Sequence, residues 1–221
     1  MSIESYLIEL SKTYTPNTLL DIGAHHGNFS MFCKRVWKNI DSLMLEGNEN
    51  CEEFLENLPF SHCIVLLSDT NKEVTLHLNP KNPTCTGTSY LKERTRHYKN
   101  SVQVKKNTFT LDEVISEVDN KTFDIIKIDT QGSELDIIKG GLKAVKKASY
   151  VILEVPTLQY NEGSPLFDEV IDYMKQIGFS KYEIVEEHKW MDKIEDAFPY
   201  GSVFQVDVVF SKLGQSCNSW W

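Results

Sequence analysis

LLDIGAHHGNF, residues Leu19 to Phe29, is an apolar run that ends in an acid and then breaks into small residues. A helical pattern follows, with Phe29, Phe32, Cys33 and Val36 spaced to form one apolar face. Strand, tight turn and helix in that order make the opening unit of a nucleotide-binding α/β domain. Gly23 and Gly27 let the backbone approach a ligand where a Cβ would intrude. Asp21 is an acceptor at the strand's carboxyl end. The first turn of the helix offers unpaired N–H groups.

Working outward, the same grammar repeats. Ser42–Leu45 is apolar and ends in Glu46, and Cys63–Leu67 is apolar and ends in Ser68-Asp69. Asp124–Thr130 reads DIIKIDT, a buried strand ending in Asp129, and Gln131-Gly132 turns it into a helix carrying Leu135, Ile138, Leu142 and Val145. Tyr150–Val155 reads YVILEV, with Glu154 near its end and Pro156 closing it. In an open parallel sheet the carboxyl ends of the strands face the ligand crevice, so these acids are expected to converge there. Glu46 follows the glycine turn by about 20 residues, where an acid takes ribose hydroxyls. Alternation places Lys127 on the face of Asp129, where it is expected to pair with a carboxylate.

The remaining pattern is a helix about residues 2–14 and a helix from about Glu49 to Leu58. A half-buried strand runs from Glu73 to Leu78, and a second short strand holds Val102 and Val104. Thr110 caps a helix over Leu111–Val118. Ser164 is expected to open a helix that Gly178 closes. Tyr182–Val185 and Val203–Phe210 read as closing strands. Between the middle strands, about residues 79–101 read as a loop or hairpin insertion with a basic cluster of Lys92, Arg94, Arg96 and Lys99, expected to be a solvated face. The expected architecture is one α/β domain over residues 1–221, a doubly wound and mostly parallel sheet with helices on both faces.

Composition narrows the function classes. With 221 residues, 41% hydrophobic and 25% charged, the chain sits in the ordinary globular range. A formal net charge of -9 argues against a non-specific nucleic-acid partner. Cys33, Cys51, Cys63, Cys85 and Cys217 include no C-x-x-C pair and are odd in number, which reads as free thiols in a reducing compartment. No leader pattern and no apolar run near the roughly 20 residues of a membrane span are read, so the expected compartment is the cytoplasm and no membrane partner is expected. His25 and His26 lack metal-ligand spacing, and Asp129 with Glu154 lack a third spaced ligand, so no metal is expected.

Two further features carry a resemblance. The turn reads D-x-G-x-H-x-G, which resembles motif I of class I S-adenosylmethionine-dependent methyltransferases. The series TLDEVI, FDIIKIDTQGSELDIIKGG and YVILEV, in order after Asp21-Ile22-Gly23-Ala24-His25-His26-Gly27, is similar to the FkbM-type methyltransferases from about Leu19 to Glu154. The resemblance implies the seven-stranded Rossmann-like methyltransferase sheet, its last strand antiparallel and inserted between its neighbours. It implies S-adenosylmethionine as methyl donor and a hydroxyl, of a small molecule or a glycan, as acceptor.

The expected cofactor-binding residues are Asp21, Gly23, His25, Gly27, Glu46, Ser68, Asp69 and Asp129. The expected catalytic carboxylates are Asp129, Glu134 and Glu154, with Asp129 best placed to take the acceptor's proton and a helix-capping role open beside it. For Glu134, in the first turn of a helix, the macrodipole alone also favours an acid. His25 stands where the family has Asn, and Gln131 where it has Glu. The second change removes a charge beside Asp129 and leaves two alternatives: lost catalysis with retained cofactor binding, or a residue that merely orders the turn. A nicotinamide-dependent oxidoreductase is the other class, but the chain has neither G-x-G-x-x-G spacing nor a Tyr-x-x-x-Lys pair.

Overall fold

The structure is a computed structural model that describes residues 1–95, 98–118, 121–191 and 198–212. Arg96 of the basic cluster and Cys217 fall outside these residues. The other four cysteines are free.

The core is a seven-stranded sheet. Its strands are β1 (Thr18–Ile22), β2 (Asp41–Glu46), β3 (Ser61–Ile64), β7 (Ile125–Ile128), β8 (Tyr150–Pro156), β9 (Lys181–Lys189) and β10 (Val203–Ser211), in the order β3-β2-β1-β7-β8-β10-β9. From β3 to β8 every neighbouring pair is parallel, while β10 runs antiparallel to both β8 and β9. This is the inserted last strand that the resemblance implied. Three further strands, β4 (Leu66–Ser68), β5 (Glu73–Leu78) and β6 (Val102–Thr110), make a small second sheet in the order β4-β6-β5. The run Cys63–Leu67 is therefore split: the chain leaves the large sheet after Ile64 and enters the small one at Leu66, with the Val65 N–H donating to the Glu46 carbonyl at 2.7 Å.

Alternation along each strand assigns the two faces. Leu20, Ile22, Ile126, Ile128, Val151 and Leu153 pack under α4 (Leu111–Glu117), α5 (Glu134–Gly140), α6 (Leu142–Val145) and α7 (Phe167–Gln176). Leu19, Ile125 and Ile152 point to the other face, under α1 (Ile3–Leu10) and α2 (Asn28–Val36). Met44 joins Leu55 of α3 (Glu52–Glu56), which a 3-10 turn over Glu49–Cys51 precedes. Asp21 and Lys127 belong to the α1/α2 face and stand opposite each other in the β1–β7 register.

Helix ends follow their local chemistry. Thr110 forms a reciprocal capping box with Glu113 at the start of α4, satisfying two N–H groups. At α7 the expectation is corrected: the helix begins at Phe167, not Ser164, because Pro165 disfavours helical backbone at Ser164 and Leu166 is still extended at φ -98° and ψ 171°. Among the described residues no helix is long and apolar enough to cross a membrane.

Candidate active site

The glycine turn closes against two neighbouring strands. Gly23 has φ 76°, and its N–H donates to the Leu45 carbonyl at 2.9 Å. A Cβ built on Gly23 would sit 1.8 Å from the backbone oxygen of Asp129. The glycine is therefore needed for the packing of the β1 turn on the β7 turn, and not only for room around a ligand. His25 takes φ 52° without being glycine, and Gly27 takes φ 72°. Glu46 at the end of β2 holds this turn: its Oε2 accepts the His25 N–H and its Oε1 the Asn48 N–H, each at 2.8 Å.

A cleft with about 710 Å³ of empty space, part of it open to solvent, lies over this turn. Gly23, His25, Glu46, Gly47 and Asp129 line its polar side, and Leu45, Val65, Leu66, Leu67, Leu76 and Ile137 its apolar side. The segment Cys85–Tyr90, part of the expected insertion, roofs it. That roof is tied at both ends. The His25 ring nitrogen Nε2 is 2.6 Å from the Thr84 carbonyl and Asn48 Nδ2 donates to the Pro83 carbonyl at 2.7 Å, while Ser89 Oγ donates to the Gln131 carbonyl at 3.0 Å.

A second cleft continues from the first. It is lined by Glu154, Tyr160, Gln205, Tyr98, Trp190 and Phe204, and it shares Asp129, Gln131, Cys85 and Thr86 with the first. Gln131 is the hinge between the two. With φ 58°, it swings its amide so that Nε2 donates to Glu154 Oε2 at 2.7 Å while Oε1 accepts the Tyr160 hydroxyl at 3.1 Å. Gln205 donates to the other oxygen of Glu154 and accepts from Tyr160 at 2.7 Å.

Five expected residues lie elsewhere. Asp21 is fully buried beneath the turn, where its Oδ2 accepts the Ser30 hydroxyl at 2.7 Å and the Ser30 N–H at 3.2 Å, fixing the start of α2. Gly27 packs against Leu58 and Met44. Ser68 turns its hydroxyl to Asp69, and Asp69 pairs with Lys72 at 2.7 Å, so neither lines a cleft. Glu134 also lies outside both clefts. Its Oε1 accepts the N–H groups of Thr130 at 2.9 Å and Gly132 at 3.1 Å, clamping a turn in which Gln131 and Gly132 are both left-handed.

The electrostatics separate the carboxylates. Burial alone would push Asp129 up, but Lys127, with Nζ 2.8 Å from Asp129 Oδ2, outweighs it and holds Asp129 below the usual carboxylate range. The Asp129 carboxylate accepts from Lys127 Nζ and Gln131 Nε2, and among the described residues it makes no capping bond to α5. Glu154 is the reverse case, held well above the usual range by burial and by the nearby charges of Asp129 and Asp207. Burial raises Glu46 as well, against the two N–H groups that it accepts. Glu134 is pushed up to about 7 by burial, which its backbone donors only partly offset.

Tyr160, Gln205, Tyr98 and Trp190 were invisible in the sequence because nothing in their spacing ties them to Asp129. The roof had a weak signal in the Thr-Cys-Thr-Gly-Thr-Ser run of small polar residues.

Comparison with known proteins agrees with the fold. A family model described as the methyltransferase FkbM domain matches residues 21–181. The structure of methyltransferase FkbM from Methylobacillus flagellatus KT is similar at TM-score 0.55 and 16% identity, covering 88% of this chain and 43% of that one. The chain thus spans less than half the length of that protein. Precorrin-6y C5,15-methyltransferase from Geobacter metallireducens GS-15 is similar at TM-score 0.51 and 12% identity, covering 95% of this chain and 86% of that one. At such identities the likeness carries the fold alone. No curated protein matches the chain. Because the matched span of residues 21–181 is well over half of the sequence, the chain belongs to the FkbM methyltransferase domain family.

Proposed function

We infer that this chain, taken as one domain, is an S-adenosylmethionine-dependent O-methyltransferase whose acceptor is a hydroxyl of a small molecule or glycan. The observation that carries the reading is that the two clefts meet at Asp129 and Gln131. Methyl transfer needs donor and acceptor in line across one junction, and two adjoining clefts supply that arrangement.

The residues of the first cleft suit the donor. An acid at the end of β2, a backbone turn kept free of side chains at Gly23 and Gly47, and an apolar wall of leucines match a ribose, a charged tail and a planar base. Each oxygen of Glu46 keeps a lone pair beyond the N–H that it already accepts, enough for two ribose hydroxyls. His25 and Asp129 flank the tail's end of the cleft. Bound there, S-adenosylmethionine supplies a methyl group activated on a sulfonium.

The chain's own part is positioning and proton handling. Lys127 keeps Asp129 ionised at neutral pH, so it accepts the hydrogen bond of an incoming hydroxyl and takes its proton as the methyl is transferred. Gln131, Gln205 and Tyr160 fix the carboxyl of Glu154 beside it. Carboxylates, amides and aromatic rings together suit a neutral or cationic polyhydroxyl ring, and the excess of acids disfavours a phosphate backbone.

The test is calorimetry with S-adenosylhomocysteine, followed by transfer of labelled methyl from S-adenosylmethionine into a fractionated cell extract. Saturable binding at one site and label in a base-stable ether support the reading. Absence of binding by the folded chain overturns it.

A further inference from the structure

Glu154, on the wall of the second cleft, belongs to a cluster of metal-ligating side chains on the outer strands of the large sheet. Glu154 on β8, Asp207 on β10 and His188 on β9 come from three neighbouring strands, and one ligand atom of each lies within 4.8 Å of the others. Register explains the convergence: Asp207 stands opposite Glu154, and Gln205 stands opposite His188 one pleat away. His188 Nε2 is 2.9 Å from Asp207 Oδ2, a separation that adjacent ligands of one ion adopt when each bond is about 2.0–2.2 Å.

Charge balance points the same way. Asp129 adds a further acid, and the ammonium of Lys127 is already committed to it at 2.8 Å. Among the described residues Glu154 meets no Lys or Arg within 4.0 Å, and the basic partner of Asp207 is His188 itself, at 2.9 Å. Both oxygens of Glu154 are instead held by neutral amides, from Gln131 and Gln205, and the Tyr160 hydroxyl lies within hydrogen-bond distance of both amide oxygens, at 3.1 Å and 2.7 Å. Neutral outer partners that orient a ligating carboxylate without cancelling its charge are what a metal site uses.

We propose that Glu154, His188 and Asp207 bind one first-row divalent cation of the Mn²⁺ or Zn²⁺ type beside the acceptor cleft. One imidazole nitrogen with two carboxylates favours such ions over Mg²⁺ or Ca²⁺, which take all-oxygen sets. Glu154 lines the acceptor cleft, so an ion held there would lie beside it. That role rests on the methyltransferase reading, while the binding itself does not. A second grouping, His25 with His26 and Cys51, is a poorer site. Its imidazoles stack at 3.8 Å with planes 18° apart, and an ion lying in the plane of each ring cannot be shared by two near-parallel rings.

The test is titration of the full chain with Mn²⁺, read by electron paramagnetic resonance of the free ion. The expected result is one Mn²⁺ per chain, displaced by Zn²⁺ but not by Mg²⁺ at equal concentration. His188→Gln and Asp207→Asn should each weaken binding about 10-fold or more, with S-adenosylhomocysteine affinity and circular-dichroism melts serving as controls for folding. No stoichiometric binding, or variants that bind as the wild type does, overturns the site, and displacement by Mg²⁺ overturns the ion class. Mn²⁺ binding without S-adenosylhomocysteine binding would leave the site standing and remove the methyltransferase reading, and the opposite outcome would do the reverse.

Discussion

Glu46 Oε2 accepts the backbone N–H of His25 at 2.8 Å, so the acid that ends β2 holds the glycine turn of β1 in shape. The same carboxylate is the proposed partner of the ribose hydroxyls. Its two tasks predict a double loss. Glu46→Ala should weaken S-adenosylhomocysteine binding by about 1.5–3 kcal/mol, the range for hydrogen bonds to a charged group. It should also lower the melting temperature of the ligand-free protein. Calorimetry beside thermal unfolding reads both. Unchanged affinity in a folded variant would remove Glu46 from the donor cleft.

A Cβ on Gly23 would meet the Asp129 carbonyl at 1.8 Å, although the Gly23 backbone lines the cleft. Gly23→Ala is expected to destabilise the fold itself, by about 1–3 kcal/mol for the left-handed backbone, with overlap against the Asp129 carbonyl adding to that. Urea unfolding measures it. A variant that unfolds as the wild type does yet fails to bind S-adenosylhomocysteine would show that the glycine serves only the ligand.

Glu134 gives a pH signature. Its native pKa is raised to about 7 from an ordinary 4.5. Between those values the native state keeps a proton that the unfolded chain has lost, so stability from this group is present in full below pH 4.5 and falls as pH rises through 7. Glu134→Gln preserves an oxygen for the Thr130 and Gly132 N–H groups and has no charge to bury. The variant should match the wild type near pH 5 and exceed it near pH 8, as urea unfolding at each pH would show. Asp21, Glu46 and Glu154 are also raised, which is why the difference between the two proteins is the quantity to read.

The large sheet was legible because its signal is local. DIIKIDT and YVILEV are buried on both faces, so each reads as a near-continuous apolar run, and each becomes β7 or β8 with its acid near the carboxyl end. The pairing of Lys127 with Asp129 followed from a period of two. The small sheet was harder: β4 is 3 residues long, and its partner β6 lies beyond the roof segment. The Tyr160–Gln131–Glu154–Gln205 network was not readable at all. Its members sit on separate strands and loops, and hydrogen bonds between polar side chains leave no periodicity. Asp21, Ser68 and Asp69 show that a strand-end polar group can bond a neighbouring helix or loop, which strand-end spacing alone does not reveal.

The last prediction concerns Asp129, whose proposed task depends on Lys127. Asp129→Asn keeps the shape of the site and removes the charge, so S-adenosylhomocysteine affinity should persist while methyl transfer falls about 10²–10⁴-fold. Lys127→Met should act on the same carboxylate from behind. Without the ammonium, burial raises Asp129, and the acid limb of the pH–rate profile moves to higher pH. It should also cost about 2–4 kcal/mol of stability near neutral pH, less than a fully buried pair because the Asp129 side chain is 31% exposed. The ion pair's contribution through Asp129 is present above the ordinary carboxylate range and is lost as pH falls through the lowered native value, so the gap between wild type and Lys127→Met should close in acid. Gln131→Glu separates the two alternatives left open by the family's acid at that position. A Glu cannot donate to Glu154, and it sets a third carboxylate beside Asp129. Slower transfer than wild type is therefore expected, most strongly at high pH where the three acids cannot share protons. Faster transfer would mean that Gln131 is what limits this chain, and that the acid is the catalytic element it lacks.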